Sequence, residues 1–188
     1  MYKIAMALDS EKRDNFEGLP VILTSVGKIR TLNSLFKELD QNNLPKYIVN
    51  LGTAGSSKIK RGSVVFVNKF VERDFDVSPT GCEKYVLRDG EEQVFEFGEV
   101  PAGEKAYTIG TGDNFCTYGE SDIWDLVDME AIAIAKFCKE NGIKFICAKY
   151  ISDGADDGES GVDWEAALVD GSVKLREFFD AKIAPMLG

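Results

Sequence analysis

Residues 125–156 constrain the fold more than any other stretch, because their pattern is that of a strand, a helix, a strand and an acidic loop. Residues 125–128 are typical of a short strand, and the apolar residues that follow Glu130 have helical spacing. Residues 145–151 are largely apolar, as in a strand that is covered on both faces. A right-handed βαβ unit with two parallel strands is therefore predicted. It would place Glu130 and Asp153 together at the edge of an α/β sheet where ligands bind.

Length and composition limit the classes of function. A chain of 188 residues, 44% hydrophobic and 29% charged, fits one soluble globular domain, which is predicted to span residues 1–188. The net charge of −10 argues against binding to nucleic acid or to an anionic membrane. No apolar run is long enough to cross a bilayer, and the N-terminus lacks a signal-peptide pattern, so a cytoplasmic location is expected.

The chain contains no histidine, which excludes Ser-His-Asp and Cys-His nucleophile systems and histidine metal sites. Proton transfer must therefore use Asp, Glu, Lys, Tyr or Cys. The acidic loop that starts at Asp153 fails as an EF-hand, because its third position is Ala155. No cofactor or metal is expected. Reduced thiols are predicted for the four cysteines, which form no Cys-x-x-Cys pair: Cys82, Cys116, Cys138 and Cys147.

The rest of the chain alternates between predicted strands and helices. Strands are predicted at residues 2–8, 21–26, 47–50, 64–67, 70–71 and 106–109, and helices at 29–39 and 164–181. The Gly-Thr-Ala-Gly segment at 52–55 is predicted to be a tight turn that brings backbone close to a ligand, although an ordinary glycine turn is an alternative. Asp89-Gly90 is predicted to be the turn of a hairpin within residues 83–99.

Glu130 alone could be a helix N-terminal acid that is stabilised by the helix dipole, and Asp153 alone could be a loop or cap residue. Together, at neighbouring strand ends beside Ser152 and Thr53, the two carboxylates indicate a site for a polar ligand.

Four segments carry a resemblance to a known family: Val-Asp-Met-Glu-Ala at 127–131, Ile-Ser-Asp-Gly-Ala-Asp at 151–156, Gly-Thr-Ala-Gly at 52–55 and Thr-Gly-Asp-Asn-Phe at 111–115. They resemble the bacterial methylthioadenosine/S-adenosylhomocysteine nucleosidases of the nucleoside phosphorylase superfamily. The likeness runs, with gaps, from residue 3 to the C-terminal helix. It implies a three-layer α/β/α fold with a mixed central sheet, and an enzyme that hydrolyses the N-ribosyl bond of purine nucleosides.

The resemblance also implies a role for each of ten residues. Asp153 would protonate the purine at N7, Ser152 would orient Asp153, and Glu11 would activate water. The substrate would contact Glu130 and Met129 at the ribose, Phe115 and the Cys116 backbone at the base, Thr53 and Lys149 near the water, and Val77 in the segment that lines the 5′ pocket. The nucleosidases carry serine and arginine where this chain has Thr53 and Lys149.

Two other functions remain open at this point. Phosphorylases place a phosphate-binding arginine where this chain has Asn50, and a glycine-rich loop where it has Asp-Ser-Glu at 9–11. A carboxylate there suits water better than phosphate, but Lys12 and Arg13 leave a phosphorylase possible. A catalytically silent nucleoside-binding protein on the same scaffold is the other alternative. The base and the 5′ substituent stay undecided, and they include futalosine-type nucleosides. The resemblance also implies a homodimer in which the neighbour closes the 5′ end of the pocket.

Overall fold

The computed structural model describes residues 1–82, 84–85, 92–116, 121–153 and 164–188, and of residues 153 and 164–166 it describes only the backbone. The described strands are β1 (Tyr2–Met6), β2 (Val21–Leu23), β3 (Tyr47–Gly55), β4 (Val64–Glu72), β5 (Phe95–Glu96), β6 (Ala106–Thr111), β7 (Leu126–Asp128) and β8 (Lys144–Asp153). The α-helices are α1 (Asp9–Lys12), α2 (Lys28–Glu38), α3 (Ala131–Glu140) and α4 (Trp164–Phe178). Single turns of other helix types lie at Asp14–Phe16, Ser78–Thr80, Phe179–Ile183 and Ala184–Met186.

The strands form one mixed sheet, as predicted. β1, β2, β3 and β8 run in one direction, whereas β4, β6 and β7 run in the other. Five of the strands also form a closed ring of pairings, in the order β3, β8, β4, β6, β7 and back to β3. Closure of this ring brings strands that are distant in sequence to a common rim.

The predicted βαβ unit is wrong in its strand pairing. β7 and β8 flank α3, but β8 is parallel to β3, whereas β7 is antiparallel to β3 and parallel to β6. β7 and β8 therefore run in opposite directions. The physical reason is strand length. β3 has nine residues that can form backbone hydrogen bonds with β8, whereas β7 has only three. A strand–helix–strand pattern predicts the type of each element but does not specify its neighbours.

Gly55 is the residue at which three strands meet. It pairs with Val127 of β7 and with Asp153 of β8, and the β3–β8 register shifts between Ala54 and Gly55. The ends of β3, β7 and β8 consequently converge although β7 runs against the other two. The segment 52–55, predicted to be a turn, belongs to β3.

Helices cover both faces of the sheet, which confirms the three-layer prediction. On one face, Ile48, Phe145 and Cys147 pack in a core with residues of α2 and α3. On the other face, Val49, Ile146 and related residues pack against α4 and the turn at 179–183. Alternate residues of β3 and β8 thus enter different cores, so both faces of these strands are buried.

Other predictions have mixed outcomes. α2 matches its prediction within one residue at each end, whereas the terminal helix stops at Phe178 and continues as a π-helical turn. β5 pairs antiparallel with β4, and the predicted hairpin turn Asp89-Gly90 lies outside the described residues, as does the acidic loop 154–163. Cys138 and Cys147 are buried thiols. Among the described residues, no helix has the length and apolar character required to cross a membrane.

Candidate active site

A cavity of about 380 Å³ opens at the rim where β3, β7 and β8 converge. Its lining includes residues from α1, from the segment just before α2 and from the segments that follow β4 and β6. Seven of the ten predicted site residues line it: Glu11, Thr53, Phe115, Cys116, Met129, Glu130 and Ser152. The strand pairing therefore differs from the prediction, but most of the predicted residues share one cavity.

The other three predicted residues differ in position. Lys149 is fully buried behind the lining residue Asp128, with which it forms an ion pair. Asp153 ends β8 directly after Ser152, and its backbone pairs with Gly55 at the cavity rim. Val77 is not among the described lining residues; it precedes the turn at 78–80.

Glu11 is held by the glycine-containing end of β3. It lies in α1, which follows β1 closely, and it is buried. Its Oε1 accepts hydrogen bonds from both the backbone N and the Oγ1 of Thr53, each at 2.8 Å. A Cβ at Gly52 would lie 3.3 Å from Glu11 Oε1 and 3.5 Å from Lys149 Nζ. Glycine at this position therefore allows a carboxylate and an ammonium group to approach the strand.

Asp128 and Lys149 form a buried ion pair that the sequence did not reveal. Asp128 Oδ2 lies 2.9 Å from Lys149 Nζ and accepts the backbone N–H of Ala131 at 2.9 Å. Asp128 Oδ1 accepts a hydrogen bond from Thr111 Oγ1 at 2.7 Å. Burial acts to lower the pKa of Lys149, but the charges of Asp128 and Glu130, the Cys147 thiol and the hydrogen bond to Asp128 together outweigh it, so this pKa lies above its ordinary value. Lys149 therefore stays charged and compensates one carboxylate of the site.

Glu130 lies at the N-cap of α3 and reaches across to α2. Its Oε1 accepts the backbone N–H of Gly27 at 3.0 Å. Burial, reinforced by the nearby charge of Asp128, raises the pKa of Glu130 to about 8; Lys149 and the Gly27 bond oppose this shift. At neutral pH this raised pKa favours the protonated form of Glu130.

The segment after β6 is tied to the start of α2 by charged side chains. Asp113 Oδ1 accepts the backbone N–H of Lys28 at 2.7 Å, and Asp74 Oδ2 accepts the backbone N–H of Asp113 at 2.7 Å. The Nζ of Lys28 in turn lies 2.6 Å from Asp74 Oδ1. This network positions the segment that carries Phe115, whose side chain remains 56% exposed at the cavity.

Arg73 also lines the cavity, directly after β4, and was not predicted. The sequence signal for it was weak, because a cation just after a strand is more often solvated. No cluster of three or more potential metal-ligating side chains occurs in the part of the chain that the structure describes.

Comparisons with known proteins agree with this architecture. The phosphorylase superfamily matches residues 117–183. A 5′-methylthioadenosine/S-adenosylhomocysteine nucleosidase of Actinobacillus succinogenes is 29% identical, over 89% of this chain and 81% of its own. A futalosine hydrolase mutant of Helicobacter pylori superposes with a TM-score of 0.85 at 17% identity, over 98% of both chains. A methylthioadenosine/S-adenosylhomocysteine nucleosidase of the same organism gives a TM-score of 0.83 at 16% identity, covering 98% of this chain and 97% of that one.

The chain thus has a nucleoside phosphorylase/hydrolase-like fold, with a cavity at the ends of its strands. The chain is similar to the phosphorylase superfamily over residues 117–183 and, over most of its length, to the methylthioadenosine/S-adenosylhomocysteine nucleosidases, as the sequence motifs predicted.

Proposed function

We propose that residues 1–188 form a single catalytic domain that hydrolyses the N-ribosyl bond of purine nucleosides and releases the free base. The observation that carries this proposal is the composition of one cavity. It combines the carboxyl groups of Glu11 and Glu130 with Thr53, Met129 and an exposed aromatic ring, without histidine. The sequence relatives, which carry the name of a nucleosidase, support the same activity.

The chemistry explains why a site of this kind needs carboxyl groups. Breaking the bond between the sugar and the base leaves an oxocarbenium-like sugar and places negative charge on the base. Negative groups beside the sugar stabilise the cation, and Glu11 and Asp128 are available for this. Glu130, whose raised pKa favours the protonated form, can both donate to and accept from the ribose hydroxyls. The proposed acid, Asp153, would supply the proton that the departing base takes up.

Water is a better nucleophile for this cavity than phosphate. Asn50, at the position of the phosphorylase arginine, points into the protein: its Nδ2 donates to the Ala5 carbonyl at 3.1 Å and its Oδ1 lies 3.4 Å from Cys147 Sγ. Lys12 and Arg13 are not among the described lining residues. Glu11 lines the cavity instead, and its carboxylate would repel phosphate but can accept a proton from water.

A panel of nucleosides tests the proposal. Purified protein is incubated with methylthioadenosine, S-adenosylhomocysteine, adenosine, inosine and a futalosine-type nucleoside, with and without phosphate, and the products are separated by chromatography. We expect free base and free sugar at a rate independent of phosphate. Ribose 1-phosphate formed only with phosphate would establish the phosphorylase instead. Thermal stabilisation by a nucleoside without base release would establish the silent binding protein.

The variant Glu11→Gln provides a second test of whether water or phosphate attacks the sugar. We expect it to slow hydrolysis by about 10²-fold or more, because a neutral amide cannot take the proton of water, while affinity for free base is retained. Thr53 can still donate to the amide oxygen, so the local structure is kept. Full activity of this variant, dependent on phosphate, would contradict water activation by Glu11.

We further propose a cytoplasmic homodimer in which the partner covers the outer face of α2. Ile29 and Phe36 on that helix are 70% and 57% exposed, although both are large and apolar. The residue just before the helix N-cap, Val26, lines the cavity, so a partner packed on α2 would lie beside the open mouth. Sedimentation of the wild type and of Phe36→Asp measures the oligomeric state, and the variant should dissociate because a charge would replace an apolar contact. A monomeric wild type would contradict the proposed homodimer.

A further inference from the structure

Arg73 is held in place by the segment that forms one side of the cavity. Its Nη1 donates to Asn114 Oδ1 at 2.8 Å, and its Nη2 donates to the carbonyls of Asn114 and Gly112. The guanidinium lies close to Gly112: a Cβ at that glycine would be 2.9 Å from Arg73 Cζ. Arg73 is thus fixed beside the residues that precede Phe115, rather than swinging freely in solvent.

No carboxylate of the described residues forms an ion pair with Arg73. Its Nε is buried without a hydrogen-bond partner among these residues. Among the described residues that line the cavity, Arg73 is the one with a cationic side chain, and three are acidic: Glu11, Asp128 and Glu130. Because Lys149 compensates Asp128 and the raised pKa of Glu130 favours its neutral form, the Arg73 guanidinium and the Glu11 carboxylate are the charges of the described lining that lack a partner of opposite charge.

We propose that Arg73 stabilises the negative charge that the purine acquires as it leaves. The inference rests on the proposed function, which places the base beside Phe115 and Cys116, next to the Arg73–Asn114 bonds. In the reaction the bond between C1′ and N9 breaks, and its electron pair goes to the base. Water adds to C1′, its proton passes to the Glu11 carboxylate, and the base takes up a proton from the acid. The guanidinium stays charged throughout, so it acts on the base without transferring a proton.

A pair of substrates that differ only in leaving-group charge tests the role. An ordinary purine nucleoside leaves as an incipient anion, whereas its N7-methylated counterpart already carries a positive base and leaves neutral. We expect Arg73→Gln to lower kcat for the ordinary nucleoside by about 10²-fold. For the N7-methylated counterpart kcat should be unchanged or higher, because repulsion from the guanidinium is removed. Arg73→Lys keeps the positive charge, so kcat for the ordinary nucleoside should fall less than in Arg73→Gln.

The ratio of the two rates is measured on one preparation, so it does not depend on the fraction of folded enzyme. Asn114→Ala is the matched control: it removes a partner of the guanidinium but keeps its charge, and it should preserve the wild-type ratio. If Arg73→Gln lowered kcat equally for both substrates, Arg73 would only hold the segment before Phe115 in place, and the proposal would be overturned. A change confined to KM for substrates that carry a carboxylate, such as S-adenosylhomocysteine, would also overturn it. Failure of the wild type to cleave any nucleoside would instead refute the proposed function itself.

Discussion

The two sides of the cavity are built in different ways. On the acidic side, Glu11, Asp128 and Glu130 are buried in or beside strand and helix ends, and each has a fixed partner. On the opposite side, Arg73 and Phe115 follow β4 and β6, and the aromatic ring is more than half exposed. Buried partners determine the geometry of the first side, whereas surface contacts determine that of the second.

This difference separates the chemistry from the choice of substrate. Groups that stabilise a sugar cation must be positioned before the substrate arrives, and the buried bonds of the acidic side provide that positioning. The aromatic ring of Phe115 is largely exposed, so we expect a substitution there to cost folding little. Substitutions on the two sides should accordingly differ in whether they affect folding or activity.

The largest effect is expected for Asp153→Asn, which tests the proposed acid. Removal of a general acid typically costs about 10² to 10⁴ in rate, and the amide keeps the shape of the side chain. We expect base release to fall by that factor while a nucleoside still binds, as measured by single-turnover assays and calorimetry. An N7-methylated nucleoside, whose base leaves without a proton, should lose far less. Unchanged turnover of the ordinary nucleoside would remove Asp153 from catalysis.

Lys149→Met should affect folding most on the acidic side. It would leave Asp128 buried with a charge that only hydrogen bonds compensate, and breaking such a pair costs about 3–5 kcal/mol. Urea unfolding monitored by circular dichroism measures this loss. Lys149→Arg keeps the positive charge, and its free energy of unfolding is expected to fall by less than half of the decrease in Lys149→Met. A stability close to wild type in Lys149→Met would mean that the acidic side is not held together by this pair.

Local patterns in the sequence were sufficient to predict most element types, but not the way the strands pair. The helical spacing after Glu130 and the apolar run of β8 depend on near neighbours, and both were predicted correctly. The direction of β7 relative to β8 depends on β3, which lies far away in sequence and offers the longer ladder. No periodicity within 125–156 contains that information.

The site was predictable where a motif contains the functional residue and hidden where a distant contact creates it. Glu130 and Ser152 belong to short segments whose residue types alone predicted a ligand site. Asp128 looked like the end of a strand, and its importance comes from Lys149, which β8 brings within 2.9 Å. The place of Arg73 in the cavity depends on the pairing of β4 with β6, which allows Asn114 to bind the guanidinium, and the sequence does not show this pairing.

Glu130→Gln should change how stability depends on pH. The folded protein retains a proton on Glu130 up to about pH 8, whereas the unfolded chain releases it near the ordinary pKa of 4.5. Stability from this group is therefore fully present below pH 4.5 and is lost as the pH rises to 8, by an amount on the order of 5 kcal/mol. Unfolding free energies of wild type and variant, subtracted at each pH, isolate the effect. A difference that stays constant across this window would contradict the raised pKa.

Phe115→Ala should have the smallest effect on the fold and a moderate effect on binding. Because the ring is 56% exposed, its loss should change the free energy of unfolding by less than about 0.5 kcal/mol. If the ring stacks on the purine, KM should rise by roughly 10-fold, since base stacking contributes about 1–3 kcal/mol. Phe115→Tyr retains a π face and should keep the wild-type KM. A large loss of stability with unchanged KM would show that the aromatic side, like the acidic side, is part of the folded core rather than a replaceable surface for the base.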